Sequence, residues 1–458
     1  MSKSRRSFLQ RMVAGVGAAM AGSRISRASR LPPVATYPDV ENDAPHGQAP
    51  PAGDCGPDAV FEKPAAERMG ALAGRTTSGV SVIEVSDYAL GHYTGSLAPS
   101  PPHADMNPKR AIIVFWKDNP CRFIFNHEAS YCPILELPNG AAMCDQFFEG
   151  NLGDAELFNN LGRREKNSFV DIIQSGPERA WVRWTYFAVN KDDDTQPRLR
   201  GTEDYFAYPN GLVLRRMTYK SLMPNDVVGY STQPVELFGI LPQGKTVKEL
   251  FARDPVHGDN NVLSVVDLYS DDRYDIFWDD KGGVRRNGDD RTLAAITDSP
   301  GCALVIPFRD RLLFAVLGAA SGFSSKHNQF VDHSTPGATG GAGWGQGIWD
   351  HWPIGWLNSQ LHNWKPDSPY AYHFGSVGQF FVPEGKRIKS FAKDYPEFCK
   401  DMELNRWTEK QMFYVLLGSA TNWKEIRRIG REWLDQGAGC ARPESIAGIK
   451  GASDARET

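Results

Sequence analysis

The chain lacks the signatures by which a nucleotide, a metal cage or a nucleic acid usually shows itself in a sequence. No Gly-x-Gly-x-x-Gly follows a strand-like run and no Walker loop is present, which removes the common dinucleotide and nucleoside-triphosphate sites. Seven cysteines are scattered without a Cys-x-x-Cys pair or finger spacing, so no zinc module is encoded, and His327 with His333 has no third ligand spaced nearby. An excess of positive charge is also missing. Lys and Arg number 51 against 55 Asp and Glu, with the signs interspersed, and a chain without a basic stripe offers nucleic acid nothing to bind. After the first thirty residues no apolar run approaches the eighteen residues of a membrane anchor, and no Trp-Asp or Gly-His motif recurs as a repeat.

What is present begins at the N-terminus. Ser4 to Gln10 reads as a twin-arginine export signal, because Arg5 and Arg6 precede Phe8-Leu9 and a short Ala- and Gly-rich run from Met12 to Gly22, with Ala19-x-Ala21 suited to signal peptidase. The expectation is a signal over residues 1–30, the twin-arginine machinery as export partner, and a periplasmic or secreted protein that folds before it crosses the membrane. Any disulfide in such a chain, Cys132 to Cys144 being the candidate, forms late.

Residues 31–79 carry Pro32, Pro33, Pro38, Pro45, Pro50, Pro51 and Pro57 with little apolar periodicity and read as a linker or arm. From about Val80 short runs rich in Val, Ile, Phe, Tyr and Trp alternate with turn dipeptides such as Asn139-Gly140 and Asn210-Gly211. Sustained to about residue 400, this spacing predicts an all-β fold, a propeller or a large sandwich. Toward the C-terminus, 405–418 reads as a helix. A second helix is predicted where Asn422 and Glu425 form a possible capping box ahead of Ile426, Ile429, Trp433 and Leu434, ending at Gly437. Residues 401–437 are thus expected as C-terminal helices and 438–458 as a polar tail.

Four segments carry candidate chemistry. Cys121 to Pro133 ends a strand in Asn126, His127, Glu128, Ser130 and Tyr131, a density of polar groups that a packed core would not choose. In Trp181 to Phe187, Trp184 and Tyr186 share one face and Arg183 and Thr185 the other, and either face could line a cleft. Glu203 to Arg216 reads as a hairpin in which Tyr205 and Arg215 could meet across the sheet, with Arg215 available to a substrate carboxylate or to a surface ion pair with Glu203 or Asp204. The Gly- and Trp-rich stretch 341–353 surrounds His351 with Trp349 and Trp352, the flat aromatic and polar mixture that sugar rings require.

Taken in order, Arg122-Phe-Ile-Phe to Ser130-Tyr131-x-Pro133, Ser168-Phe-Val-Asp-Ile-Ile173 before Trp184-x-Tyr186, the Tyr208-Pro-Asn-Gly turn running to Arg215, and Asp350-His-Trp-Pro353 resemble the β-propeller polysaccharide lyases of the ulvan-lyase type, best over 110–220. The resemblance implies a seven-bladed propeller that cleaves an acidic, uronate-containing polysaccharide by β-elimination. That chemistry requires no nucleotide or redox cofactor; the metal-binding Cys/His cluster of some relatives is not evident in this sequence, and a structural metal ion stays open. By motif, His127 corresponds to the family's histidine, Tyr186 to its tyrosine with Tyr205 as competitor, and Arg215 to the arginine that neutralises the uronate carboxylate. Gln146 stands where a second histidine is looked for, which puts substrate and activity in doubt. Asn126, Tyr131, Gln146, Trp349, His351 and Trp352 are the expected substrate-binding residues. Two other functions remain compatible with the sequence: a glycoside hydrolase pairing Glu128 with Asp145 or Glu149, and a non-catalytic glycan-binding protein.

Overall fold

The computed structural model describes residues 79–88, 109–126, 131–145, 149–150, 155–156, 168–190, 193–221, 232–240, 247–279, 284–297, 299–318, 328–331, 372–379 and 411–451. The signal and arm, His127, Glu128, Gln146 and the Trp-rich stretch around His351 lie outside the described residues.

The described residues begin with β1 (Val80–Tyr88), β2 (Lys109–Trp116), β3 (Arg122–Asn126), β4 (Pro133–Glu136) and β5 (Ala142–Asp145), an antiparallel meander in which each strand pairs with the next. Two short strands, β6 (Glu149–Gly150) and β7 (Ala155–Glu156), precede a second meander of β8 (Ser168–Gly176), β9 (Arg179–Asn190), β10 (Asp193–Ala207) and β11 (Val213–Ser221). Then follow β12 (Thr232–Ile240), α1 (Val247–Leu250), β13 (Asn260–Asp267), β14 (Arg273–Trp278), β15 (Val284–Arg286), α2 (Asp290–Thr297), β16 (Gly301–Pro307) and β17 (Leu312–Gly318). The last elements are β18 (Asn328–Val331), β19 (Tyr372–Gln379), β20 (Gln411–Ala420) and α3 (Trp423–Leu434).

All-β is therefore the observed class. The pairings join these strands edge to edge in two long antiparallel ladders. One runs β8-β9-β10-β11-β20-β17-β16-β13-β14-β15. The other runs β1-β2-β3-β4-β5-β12-β19-β18, and β6 and β7 tie β12 to β9. The ladders are open rather than closed on themselves, and they do not number propeller blades. The ladders meet face to face: Phe123 and Phe125 of β3 lie 5.4 and 5.1 Å, centroid to centroid, from Tyr205 of β10, and Trp116 Nε1 donates to the Tyr208 carbonyl at 2.6 Å. The interior between them is built from alternate residues of the two facing surfaces.

The opposite face of the first ladder has its own cover. Ile426, Ile429, Trp433 and Leu434 recur at helical spacing on α3 and pack on Leu214, Leu416, Phe314, Val305 and Val266. Asn422 caps the helix by accepting the Glu425 amide at 3.0 Å, while the Glu425 carboxylate reaches back to the Thr421 amide at 2.9 Å, one residue earlier than a capping box requires.

Two expectations are corrected here. Gln411–Ala420 within the expected helical region is strand β20, inserted between β11 and β17. Its run from Met412 to Leu417 is apolar at every position, which suits a strand buried on both faces as well as a helix, and two open strand edges decide the matter. Nor does the tail begin at 438: 3-10 turns over Gly437–Ala441 and Pro443–Ile446 bury Cys440, Ile446 and Ile449, and Asn210 Nδ2 donates to the Ile446 and Ile449 carbonyls at 3.0 and 2.8 Å.

Candidate functional site

Strand alternation turns Trp184 and Tyr186 of β9, Glu203 and Tyr205 of β10 and Arg215 of β11 to the face that meets the other ladder. The register sets Tyr205 opposite Arg215 and Gly201 opposite Tyr186. Gly201 is needed there, because a Cβ at that position would stand 2.2 Å from Cζ of Tyr186. From the facing ladder, the end of β5 contributes Asp145.

These groups converge on Glu203. Its carboxylate takes a two-bond fork from Arg215, Nε to Oε2 at 2.7 Å and Nη2 to Oε1 at 2.9 Å, together with the Tyr186 hydroxyl at 2.7 Å and the Tyr205 hydroxyl at 2.6 Å. Arg215 Nη1 ion-pairs with Asp145 Oδ2 at 2.6 Å. Arg215, Glu203 and Tyr186 are 0% exposed, so the network is dry, and bidentate charge-assisted bonds of this kind are the strong ones. Burial by itself would lower the Arg215 pKa, but Asp145 and Glu203 outweigh it and hold the guanidinium charged, well above its ordinary range. For Tyr205, burial is the largest cause and the carboxylates of Glu203 and Asp145 add to it, so the phenol keeps its proton far above its usual pKa despite Arg215. It is set up as a donor rather than a base.

The sequence-predicted residues divide accordingly. Tyr186, Tyr205 and Arg215 come together, and the two tyrosines that stood as competitors are both ligated to one carboxylate. Arg215 does pair with Glu203, in the core rather than on the surface. Asn126 ends β3, where alternation sets it on the opposite face from Phe123 and Phe125 and hence away from Arg215. Tyr131, buried at φ 63°, lies under Arg110, whose Nη1 is 3.4 Å from its hydroxyl, and its amide donates to the Asn126 carbonyl at 2.7 Å. Residues 126 and 131 are thereby held together. His127, Gln146, Trp349, His351 and Trp352 lie outside the described residues.

Sequence reasoning missed Glu203 as the hub and Asp145 as the second counter-ion. A signal was available for Glu203: two residues before Tyr205 on the same strand, it shares that residue's face. For Asp145 none was, because its partner lies in another ladder. Among the described residues no group of three or more His, Cys, Asp and Glu side chains is arranged to hold a metal ion. No helix among them is long and apolar enough to cross a membrane.

No family model matches the chain, and no curated protein matches it. Among solved structures it is similar to a galactose 1-epimerase from Lactobacillus acidophilus NCFM, at 11% identity over 74% of this chain and 98% of that one, with a TM-score of 0.31. At that score the likeness counts neither for a shared fold nor for a shared substrate.

Proposed function

We propose that the chain is an exported polysaccharide lyase that cleaves a uronate-containing acidic polysaccharide by β-elimination. The observation that carries this reading is the meeting of Tyr186, Tyr205 and Arg215 on one carboxylate. Removing a C5 proton is difficult until the adjacent carboxylate charge is neutralised, and Arg215 is the cation suited to it. Tyr205, which holds its proton tightly, suits donation to the departing O4 oxygen, and His127, next in sequence after Asn126, is the group left for the base. The Arg215 fork is taken by Glu203 and its remaining nitrogen by Asp145. A uronate carboxylate therefore has to take over the Asp145 position at Nη1. The twin-arginine pattern at Ser4 to Gln10 supports export, and the reading does not depend on a count of blades.

The full burial of Tyr186 and Arg215 favours a second reading, a non-catalytic glycan-binding protein in which the network is only a core brace. The hydrolase alternative is weaker, since Asp145 is engaged as a counter-ion. Incubation with a panel of uronate polysaccharides decides among them. New reducing ends accompanied by the ultraviolet absorbance of an unsaturated uronate mean a lyase. Reducing ends without that absorbance mean a hydrolase, and binding with neither means a glycan binder. For a lyase, His127→Ala abolishes turnover without loss of fold; full activity in that variant removes His127 from the mechanism.

A further inference from the structure

Cys132 and Cys144 lie on the approach to β4 and on β5, which pair in the register Ile134 to Cys144. Their sulfurs are 3.5 Å apart, both residues are 0% exposed, and neither is bridged. A covalent S–S bond needs about 2.05 Å, so the two sulfurs, already in contact, have to approach by about 1.5 Å. Cys121, by contrast, sits 3.5 Å from the Ser419 hydroxyl and donates to it.

We infer that Cys132 and Cys144 form a redox-active dithiol that a disulfide-class oxidant converts to an internal disulfide in the folded chain. The step balances as thiol–disulfide exchange. One thiol loses its proton and attacks the oxidant's disulfide, releasing one reduced thiol. The second protein thiol then attacks the mixed disulfide and releases the other, so that two protein thiols become one S–S bond and the oxidant gains two electrons and two protons. Burial, with the neighbouring Cys144 thiol next in weight, pushes the Cys132 pKa well up, so reaction waits on local opening and is slow in the native state.

The position gives the bond a consequence. Cys144 immediately precedes Asp145, the Nη1 partner of Arg215, and Cys132 immediately follows Tyr131, whose amide closes on Asn126. A disulfide therefore links the Tyr131-to-Asn126 backbone bond to the strand end that supplies the Arg215 counter-ion. The chain changes from reduced and looser to oxidised and clamped when it meets an oxidising compartment.

The test uses the full chain, purified reduced and held folded in glutathione buffers of rising oxidised fraction until its thiol content stops changing. Acid quenching, alkylation and peptide mapping follow. The expected result is one cross-linked peptide joining Cys132 to Cys144, reversed by dithiothreitol, lost in Cys132→Ser and in Cys144→Ser, and accompanied by slower hydrogen exchange of the Tyr131 amide. Full alkylation of both cysteines at the most oxidising ratio, or their capture only as separate glutathione adducts, overturns the assignment.

Discussion

Two neighbouring residues of β10 carry the same kind of carboxylate to opposite faces of one strand. Glu203 turns inward and is bound by Arg215 and two tyrosines with no water in reach. Asp204 turns outward and is bound by Arg183 Nε at 2.8 Å, Arg216 Nη2 at 2.7 Å and the Trp181 indole at 2.7 Å, but both of its guanidinium partners are about a quarter exposed. The chemistry of the contacts is nearly alike, and the dielectric is not. In the dry network each charge exists only because its partners are in place. In the outer cluster water can replace a lost partner.

The largest expected effect breaks that comparison if it fails. Arg215→Leu leaves Glu203 and Asp145 as two buried carboxylates with their shared cation gone, and costs about 3–5 kcal/mol. Arg216→Leu, one residue along the same strand, costs on the order of 1 kcal/mol or less. Urea unfolding of the two variants against the parent measures both, and equal losses would mean that the inner network is wetter than its geometry implies. Next in size is Gly201→Ala. The added methyl meets the Tyr186 ring, pushes the hydroxyl off Glu203 and costs about 1–3 kcal/mol by overpacking. The same substitution combined with Tyr186→Phe should cost less than the two changes summed, because the ring is then free to shift without abandoning a hydrogen bond.

How much of this was legible depended on how local each feature is. The alternation in Trp181–Phe187, the Asn139-Gly140 and Asn210-Gly211 turns, with Gly140 at φ 84° and Gly211 at φ 80°, and the α3 stripe each involve neighbours in sequence and could be read directly. Even the pairing of Tyr205 with Arg215 followed from the hairpin between them. What could not be read was which strands pair across long stretches of chain. β20 enters between β11 and β17, and β12 pairs with both β5 and β19, and nothing within those strands names their neighbours. Turn spacing is the same in a blade and in a long ladder, so how distant strands join was not a local property. The two faces of β10 were distinguishable by parity alone, yet Glu203 was weighed as a surface partner because charged residues are rarely fully buried.

Smaller effects sharpen the comparison through pH. Glu136 is another buried carboxylate, ion-paired with Arg122 Nε at 2.9 Å. Burial dominates there and pushes its pKa from 4.5 up to about 7, against the pull of Arg122. Around Asp204, burial is likewise the largest single influence, yet Arg183 and Arg216 together outweigh it and bring the pKa below 3.8. One guanidinium loses to desolvation; two win. The signs of the pH dependence are therefore opposite. Glu136, with its folded pKa raised, contributes stability that is fully present below about pH 4.5 and lost as pH rises toward 7. Asp204, with its folded pKa lowered, contributes stability that is present above about pH 4 and lost on further acidification. Urea midpoints of Glu136→Gln should then fall below the parent near pH 4.5 and approach or exceed it by pH 8. Asp204→Asn should match the parent in strong acid and fall behind it, by on the order of 1 kcal/mol given that its partners are about a quarter exposed, once the pH passes about 4. If both variants diverged from the parent in the same direction, the count of guanidinium partners would not be what sets the sign.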